Sequence, residues 1–363
     1  MSGAPRVCAH STLLPDSCSR SVKLPLPKPL CILHRSDRLQ VMASEPDQSS
    51  SPPPLKVLTL DGGGAKGFYT LGILDEIEKN IRRPLCERFD LIFGTSTGAI
   101  IAVLVARGEP VERIIELYKE HVPPIMKEDK PSNRSVALRK LATEVFGKTS
   151  VADFKTRICV VATNWKEEKP FIFKPSVTQA HGSTGSFAPF FGCSVADAVV
   201  ASCSAYPFFE TVTLTTTKGM LELGDGGFCA NNPALYALAD ATGPLAFKQE
   251  NIRLVSLGVG EYPPPSVWKT AGRIRGGWGM IRHGLNSDFL QKILGTNTGA
   301  MEQLTTILFK EVPMVRISEA FVEPAMATDL LEHDLTKLER LLHKGRASYA
   351  KNEPQLKELL DYK

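Results

Sequence analysis

From Lys56 onward, short apolar runs alternate with stretches in which apolar residues recur every three or four positions. Val57-Leu58-Thr59-Leu60 reads as a buried strand that ends in the turn Asp61-Gly62-Gly63-Gly64-Ala65-Lys66-Gly67. Phe68, Leu71, Leu74 and Ile77 then fall on one helical face. Phe89–Phe93 predicts a second strand, and Ala99–Ala106 is a short apolar helix. An amphipathic helix follows over about 111–120. Residues 122–150 are polar and Pro-interrupted, with a helix expected from Ser135 to Phe146. Arg157–Ala162, Phe171–Phe173 and Ile252–Leu257 read as strands. Val195–Ser204 and a segment starting near Pro233 read as helices, and Glu222-Leu223 closes a strand before Gly224-Asp225-Gly226-Gly227. The C-terminal third is mostly helical, with Leu335, Leu338, Leu341 and Leu342 on one face. The alternation predicts an α/β fold, a three-layer sandwich whose mostly parallel central sheet is covered by helices on both faces.

The first 54 residues break this pattern. They are rich in Ser and Pro, end in three prolines, and lack either periodicity, so they are expected to be a disordered extension. Up to residue 41 they carry Arg6, Arg20, Lys23, Lys28, Arg35 and Arg38 against Asp16 and Asp37. That is the composition of an organelle transit peptide (plastid or mitochondrion). Met42 offers a second start, which leaves the upstream part equally readable as dispensable. The net charge of +4 is too mild to indicate nucleic acid, and no apolar run reaches the ~20 residues of a membrane span. The expected location is therefore cytoplasmic or peripheral to membranes. The eight cysteines form no C-x-x-C pair, so neither a zinc site nor a thioredoxin motif is indicated; no calcium loop or metal cluster is visible, and no cofactor is expected.

Three turns follow strands and should share the carboxyl edge of the sheet. Gly94-Thr95-Ser96-Thr97-Gly98 places a serine between glycines at a strand-to-helix junction, the setting of an exposed nucleophile. Gly62-Gly63-Gly64 has no side chains over its N–H groups and can hold a phosphate or an oxyanion. Gly62, Gly64 and Gly67 also satisfy G-x-G-x-x-G, but the expected ribose-binding acid is missing from the end of the second strand, where Asp90 lies at the wrong end. Ser96, Asp225 and His283 can be ordered as a triad on paper, yet no histidine after Ser96 sits in a Gly-bounded turn. Asp225 does.

Taken in order, Asp-Gly-Gly-Gly-x-Lys-Gly, Gly-Thr-Ser-Thr-Gly and Asp225-Gly226-Gly227 with Asn231-Asn232-Pro233 resemble the patatin-like lipid acyl hydrolases. Ala201–Phe209 and Ser256-Leu257-Gly258 are similar to two further family segments. The resemblance covers roughly residues 55–350 and leaves 351–363 as a helical tail. It implies a Ser96–Asp225 dyad with an oxyanion hole at Gly63 and Gly64, joined by Gly62. Lys66, where the family usually carries Arg, and Gly94, Gly98, Gly226 and Gly227 would support it. The implied reaction is hydrolysis of phospholipid or galactolipid acyl esters without a metal, in peripheral contact with a lipid surface. A catalytically weak storage or lipid-sensing role is the alternative. A dyad of this kind requires a raised Asp225 pKa. Phe187, Phe190 and Phe191 are candidates to line the acyl channel or to cap the core.

Overall fold

The computed structural model describes residues 53–182, 185–261 and 278–362. The expectations for residues 1–52, disorder and a transit role, lie outside the described residues.

Alternation along each strand divides the interior into two cores. In β1 (Leu55–Leu60), Leu58 and Leu60 pack on one face of the sheet, and Leu55 and Val57 on the other. β2 (Leu91–Thr95) and β3 (Arg157–Asn164) follow the same rule: Ile92, Ile158 and Val160 join the first core, Phe93, Cys159 and Val161 the second. The first core is closed by α1 (Gly67–Ile81), α3 (Thr97–Arg107), α4 (Val111–Lys127), α5 (Pro131–Phe146) and α6 (Val195–Ser202), with the short α2 (Leu85–Arg88) leading into β2. The second is closed by α7 (Gly227–Ala230) and α8 (Ala234–Thr242). The fold is the expected three-layer α/β sandwich.

The remaining strands are β4 (Lys169–Phe173), β5 (Val212–Thr216), β6 (Gly219–Asp225), β7 (Ile252–Leu257) and β8 (Met314–Ile317). The sheet order is β5-β6-β3-β2-β1-β7-β8, with β4 paired to β3. β3, β2, β1, β7 and β8 are parallel, whereas β6 runs antiparallel to β3 with Asp225 opposite Ala162. The third turn therefore does not follow a parallel strand. β3 overhangs β2 beyond Val161, and β6 returns along that overhang to bring Asp225 to the edge where β2 ends.

Two helices complete the described chain, α9 (Trp278–Leu308) and α10 (Leu335–Leu360). α10 lies on α1 at close range: a Cβ at Gly345 would meet the Tyr69 carbonyl, and one at Gly72 the Leu342 carbonyl. α10 crosses residue 350 unbroken, and Leu356 and Leu360 are buried, so the helical tail is continuous with the domain.

Candidate active site

Ser96 caps α3 with φ 54° and ψ −123°, a conformation that non-glycine residues rarely adopt. The turn is tight enough that a Cβ at Gly94 would strike the Gly98 carbonyl and one at Gly98 the Leu60 carbonyl. The strain is held by partners on both sides. The Ser96 N–H donates to Ser202 Oγ at 2.9 Å, and the Ser202 hydroxyl donates to the Val161 carbonyl at 2.5 Å. Thr95 Oγ1 donates to the Ala230 carbonyl at 2.8 Å. The Ser96 hydroxyl thus stands at the N-terminus of a buried helix.

Asp225 is fixed through its backbone. Its N–H donates to the Ser204 carbonyl at 3.0 Å, and its carbonyl accepts from Thr163 Oγ1 at 2.7 Å. The carboxylate accepts from the Gly227 N–H at 2.7 Å and lines the same pocket as Ser96. Burial is the dominant influence and pushes its pKa up to about 6, against the lowering influence of the nearby Ser96 side chain and the Gly227 N–H. Gly226 is required by proximity, because a Cβ there would meet the Val161 carbonyl. Cys203, a buried thiol, lines the same pocket beside the pair.

The glycine loop faces this pair. Gly62 donates its N–H to the Asn231 carbonyl at 3.0 Å and so has no donor left for a ligand. The Gly63 and Gly64 N–H groups have no acceptor among the described residues. Gly64 sits at φ 57°, where a Cβ would also strike the Leu330 carbonyl. Behind the loop, Asp61 pairs with Arg316 at 2.5 and 2.9 Å; burial still raises the Asp61 pKa to about 6. Asn231 Nδ2 donates to the Gly62 carbonyl at 3.3 Å and to Thr298 Oγ1 at 2.8 Å. Asn231 and Arg316 are site-shaping residues that sequence reasoning did not single out. Asn231 was visible only as part of a motif.

One pocket, with about 710 Å³ of empty space, joins Ser96, Asp225, Gly63 and Gly64. Apart from Thr97 and Asn231 the rest of its wall is apolar, with Ile100, Ile125, Met126, Leu138, Leu141 and Phe208 among its lining residues. The expectation that Phe187, Phe190 and Phe191 line the channel is not met. Phe190 is fully buried against Phe173 and Phe154, and Phe191 packs on Phe171 under Lys218. Phe187 is half-buried outside the pocket. Consecutive positive φ angles at Phe190 and Phe191 turn both rings into the core, so this loop caps it. No described histidine side chain lines the pocket: His181 pairs with Asp240, and the His283 side chain lies outside the described residues. Asp90, the misplaced acid of the dinucleotide reading, accepts from the Lys56 N–H at 2.8 Å at the far end of the sheet.

Residues 58–238 match the family described as patatin-like phospholipase. A cUMP-AMP-activated phospholipase of Escherichia coli is 52% identical over 306 residues, covering 84% of this chain and 93% of that protein. The chain belongs to the patatin-like phospholipase family. It is a hydrolase acting on lipid esters. Two cGAMP-activated phospholipases are more distant: one of Pseudomonas aeruginosa is 30% identical over 64% of this chain and 70% of its own length. The other, of Vibrio cholerae, is 26% identical over 66% of this chain and 74% of its own length. A bacterial relative of such extent gives no support to a transit role for residues 1–41. No helix among the described residues is long and apolar enough to cross a membrane.

Proposed function

We propose that this phospholipase cleaves acyl esters through a Ser96–Asp225 dyad and an acyl-enzyme. It acts on phospholipids ahead of galactolipids and is activated by a cyclic dinucleotide, as the name of its Escherichia coli relative states for that protein. The observation that carries the dyad is that Ser96 and the buried Asp225 line the polar end of one apolar pocket together with two unpaired N–H groups, those of Gly63 and Gly64. The acyl chain lies among Ile125, Met126, Leu138 and Leu141, which presents its carbonyl carbon to Ser96 Oγ. As Oγ attacks, Asp225 takes its proton, and the oxyanion is stabilised by the Gly63 and Gly64 N–H groups and the end of α3. Collapse expels the alcohol, which takes the proton back from Asp225. Water then adds to the acyl-enzyme with Asp225 again as base; collapse breaks the bond to Ser96 Oγ, which takes that proton back from Asp225, and the fatty acid leaves. A carboxylate of ordinary pKa is a weak base for a hydroxyl; the dry site brings Asp225 close to working pH.

The test uses Ser96→Ala and Asp225→Asn with a chromogenic acyl ester and a serine-directed phosphonate. Both variants should lose hydrolysis by several orders of magnitude, and Ser96→Ala should take up no label. Label retained in Ser96→Ala, or hydrolysis preserved in both variants, rules the dyad out.

A further inference from the structure

The buried face of α4 consists of Val111, Ile114, Ile115, Tyr118, Val122 and Ile125, apolar throughout except for one phenol hydroxyl. A hydroxyl in such a place costs free energy unless it is hydrogen-bonded, and Phe would fill the same space without that cost. The Tyr118 hydroxyl is satisfied by a single residue, Thr97, which directly follows Ser96. It donates to the Thr97 carbonyl at 2.8 Å; with its one proton so used, it accepts from Thr97 Oγ1 at 2.9 Å. We propose that Tyr118 is a positioning residue for acyl transfer, one whose hydroxyl fixes Ser96 relative to the Gly63 and Gly64 N–H groups. The proposal rests on the reading above, with Ser96 as nucleophile and those N–H groups as the oxyanion hole.

Thr97 is the first residue of α3, and the peptide plane between it and Ser96 sets the direction in which Ser96 leaves the helix. Holding Thr97 by its carbonyl and its hydroxyl together leaves that plane little freedom to rotate, next to a serine that carries a positive φ. The other side of the phenol is anchored at the glycine loop. Its ring meets that of Phe68 edge-on, with centroids 5.8 Å apart and planes at 77°. A Cβ at Gly67 would lie 2.5 Å from Thr97 Oγ1 and 3.1 Å from Tyr118 Cε1, so the end of the loop meets both partners. Gly67 in turn donates its N–H to the Gly64 carbonyl. Tyr118 thus stands between the turn that carries Ser96 and the loop that carries the two donors. A displacement of about 1 Å between such groups can cost on the order of 10²-fold in rate.

The phenol acts through Thr97 and not on the reacting atoms. Thr97 lines the pocket, whereas Tyr118 does not. Burial pushes the Tyr118 pKa well above the usual phenol range, against the lowering influence of the Thr97 hydrogen bond. The hydroxyl therefore keeps its proton wherever Ser96 reacts, and its contribution should be the same at every working pH.

The experiment compares full-length Tyr118→Phe, Thr97→Val and the double variant, each at a temperature where it is fully folded, with a chromogenic acyl ester and a serine-directed phosphonate. Tyr118→Phe keeps the ring against Phe68 and loses only the hydroxyl. Its kcat and its rate of phosphonate labelling should both fall by about ten-fold, with KM changed by no more than about two-fold. The plateau of its pH–rate profile should drop while the limb near pH 6 stays in place. Thr97→Val removes one of the same two bonds from the other side, so the double variant should be no slower in kcat than Tyr118→Phe alone. Unchanged kcat and labelling in folded Tyr118→Phe, even with a lowered melting temperature, overturn the proposal, because the hydroxyl then serves stability alone. A displaced limb, or losses that multiply in the double variant, overturn it too. If Tyr118→Phe does not fold, unchanged kcat in Thr97→Val decides against it. Label taken up by Ser96→Ala with Tyr118 intact refutes the nucleophile reading, and the proposal with it; an undiminished labelling rate in Tyr118→Phe refutes the proposal alone.

Discussion

At the scale of single residues, the site turns on what burial does to two carboxyl groups. Asp225 and Asp61 are both raised to about 6, Asp225 beside Ser96 and Asp61 against Arg316. If Asp225 is the base, kcat/KM should rise with pH along a single-proton limb centred near 6 and then level off. That limb should survive Asp61→Asn; its disappearance there would assign it to the wrong carboxyl. The same shift has a consequence for stability. The folded pKa of Asp225 lies above its ordinary 3.8, so the folded state holds the proton more tightly. Its stabilising contribution is complete below pH ~4 and is lost as pH rises through 6. At pH 8 the ionised, buried carboxylate costs on the order of 3 kcal/mol. Asp225→Asn should therefore raise the melting temperature at pH 8 and leave it unchanged at pH 4; equal melting of both proteins at pH 8 would refute the burial argument. Ser96 and Asp225 could be read from the sequence because each lies in a glycine-bounded turn. The retirement of Gly62 could not, since it depends on a carbonyl 169 residues away.

At the scale of elements, the acyl wall is the part that the sequence concealed. A Pro123-Pro124 pair argues for a helix ending near residue 120, yet α4 continues to Lys127. The prolines occupy its last turns, and burial of Val122 and Ile125 against the pocket opposes the lost hydrogen bonds. The same segment thus reads as a breaker locally and as a channel wall in three dimensions. An aromatic-rich loop pointed elsewhere, because a run of phenylalanines reads alike whether it faces a ligand or a core. The wall makes a prediction of its own. Leu141 on α5 is only half-buried and lines the pocket, so Leu141→Trp should shorten the channel with little effect on the fold. Hydrolysis of a dodecanoyl ester should fall about ten-fold or more relative to a butanoyl ester, while phosphonate labelling of Ser96 persists. A parallel decline on both esters would move the channel away from α5.

At the scale of the whole molecule, the site is closed by segments that no local motif announces. The family match ends at residue 238, but Arg316 on β8 holds Asp61, Ala65 donates to the Leu330 carbonyl at 3.1 Å, and Asn297 on α9 accepts from the Asn231 N–H at 2.8 Å. β1 and β8 are separated in the sheet by β7 and in sequence by some 255 residues, so their pairing is visible only once the sheet is assembled. Arg316→Met tests how far the glycine loop depends on this closure. It leaves Asp61 buried without its cation, a loss on the order of 3–5 kcal/mol near neutral pH. With the guanidinium gone, the Asp61 pKa rises further above its ordinary range, and protonation relieves the penalty as pH falls. The melting deficit of Arg316→Met should accordingly be large at pH 8 and small at pH 5, and adding Asp61→Asn should recover much of it at pH 8. A deficit equal at both pH values, or no recovery in the double variant, would show that Arg316 acts through packing rather than through the Asp61 charge. Because Asp61 leads directly into Gly62, Gly63 and Gly64, hydrolysis by Arg316→Met should fall even at temperatures where the variant is fully folded.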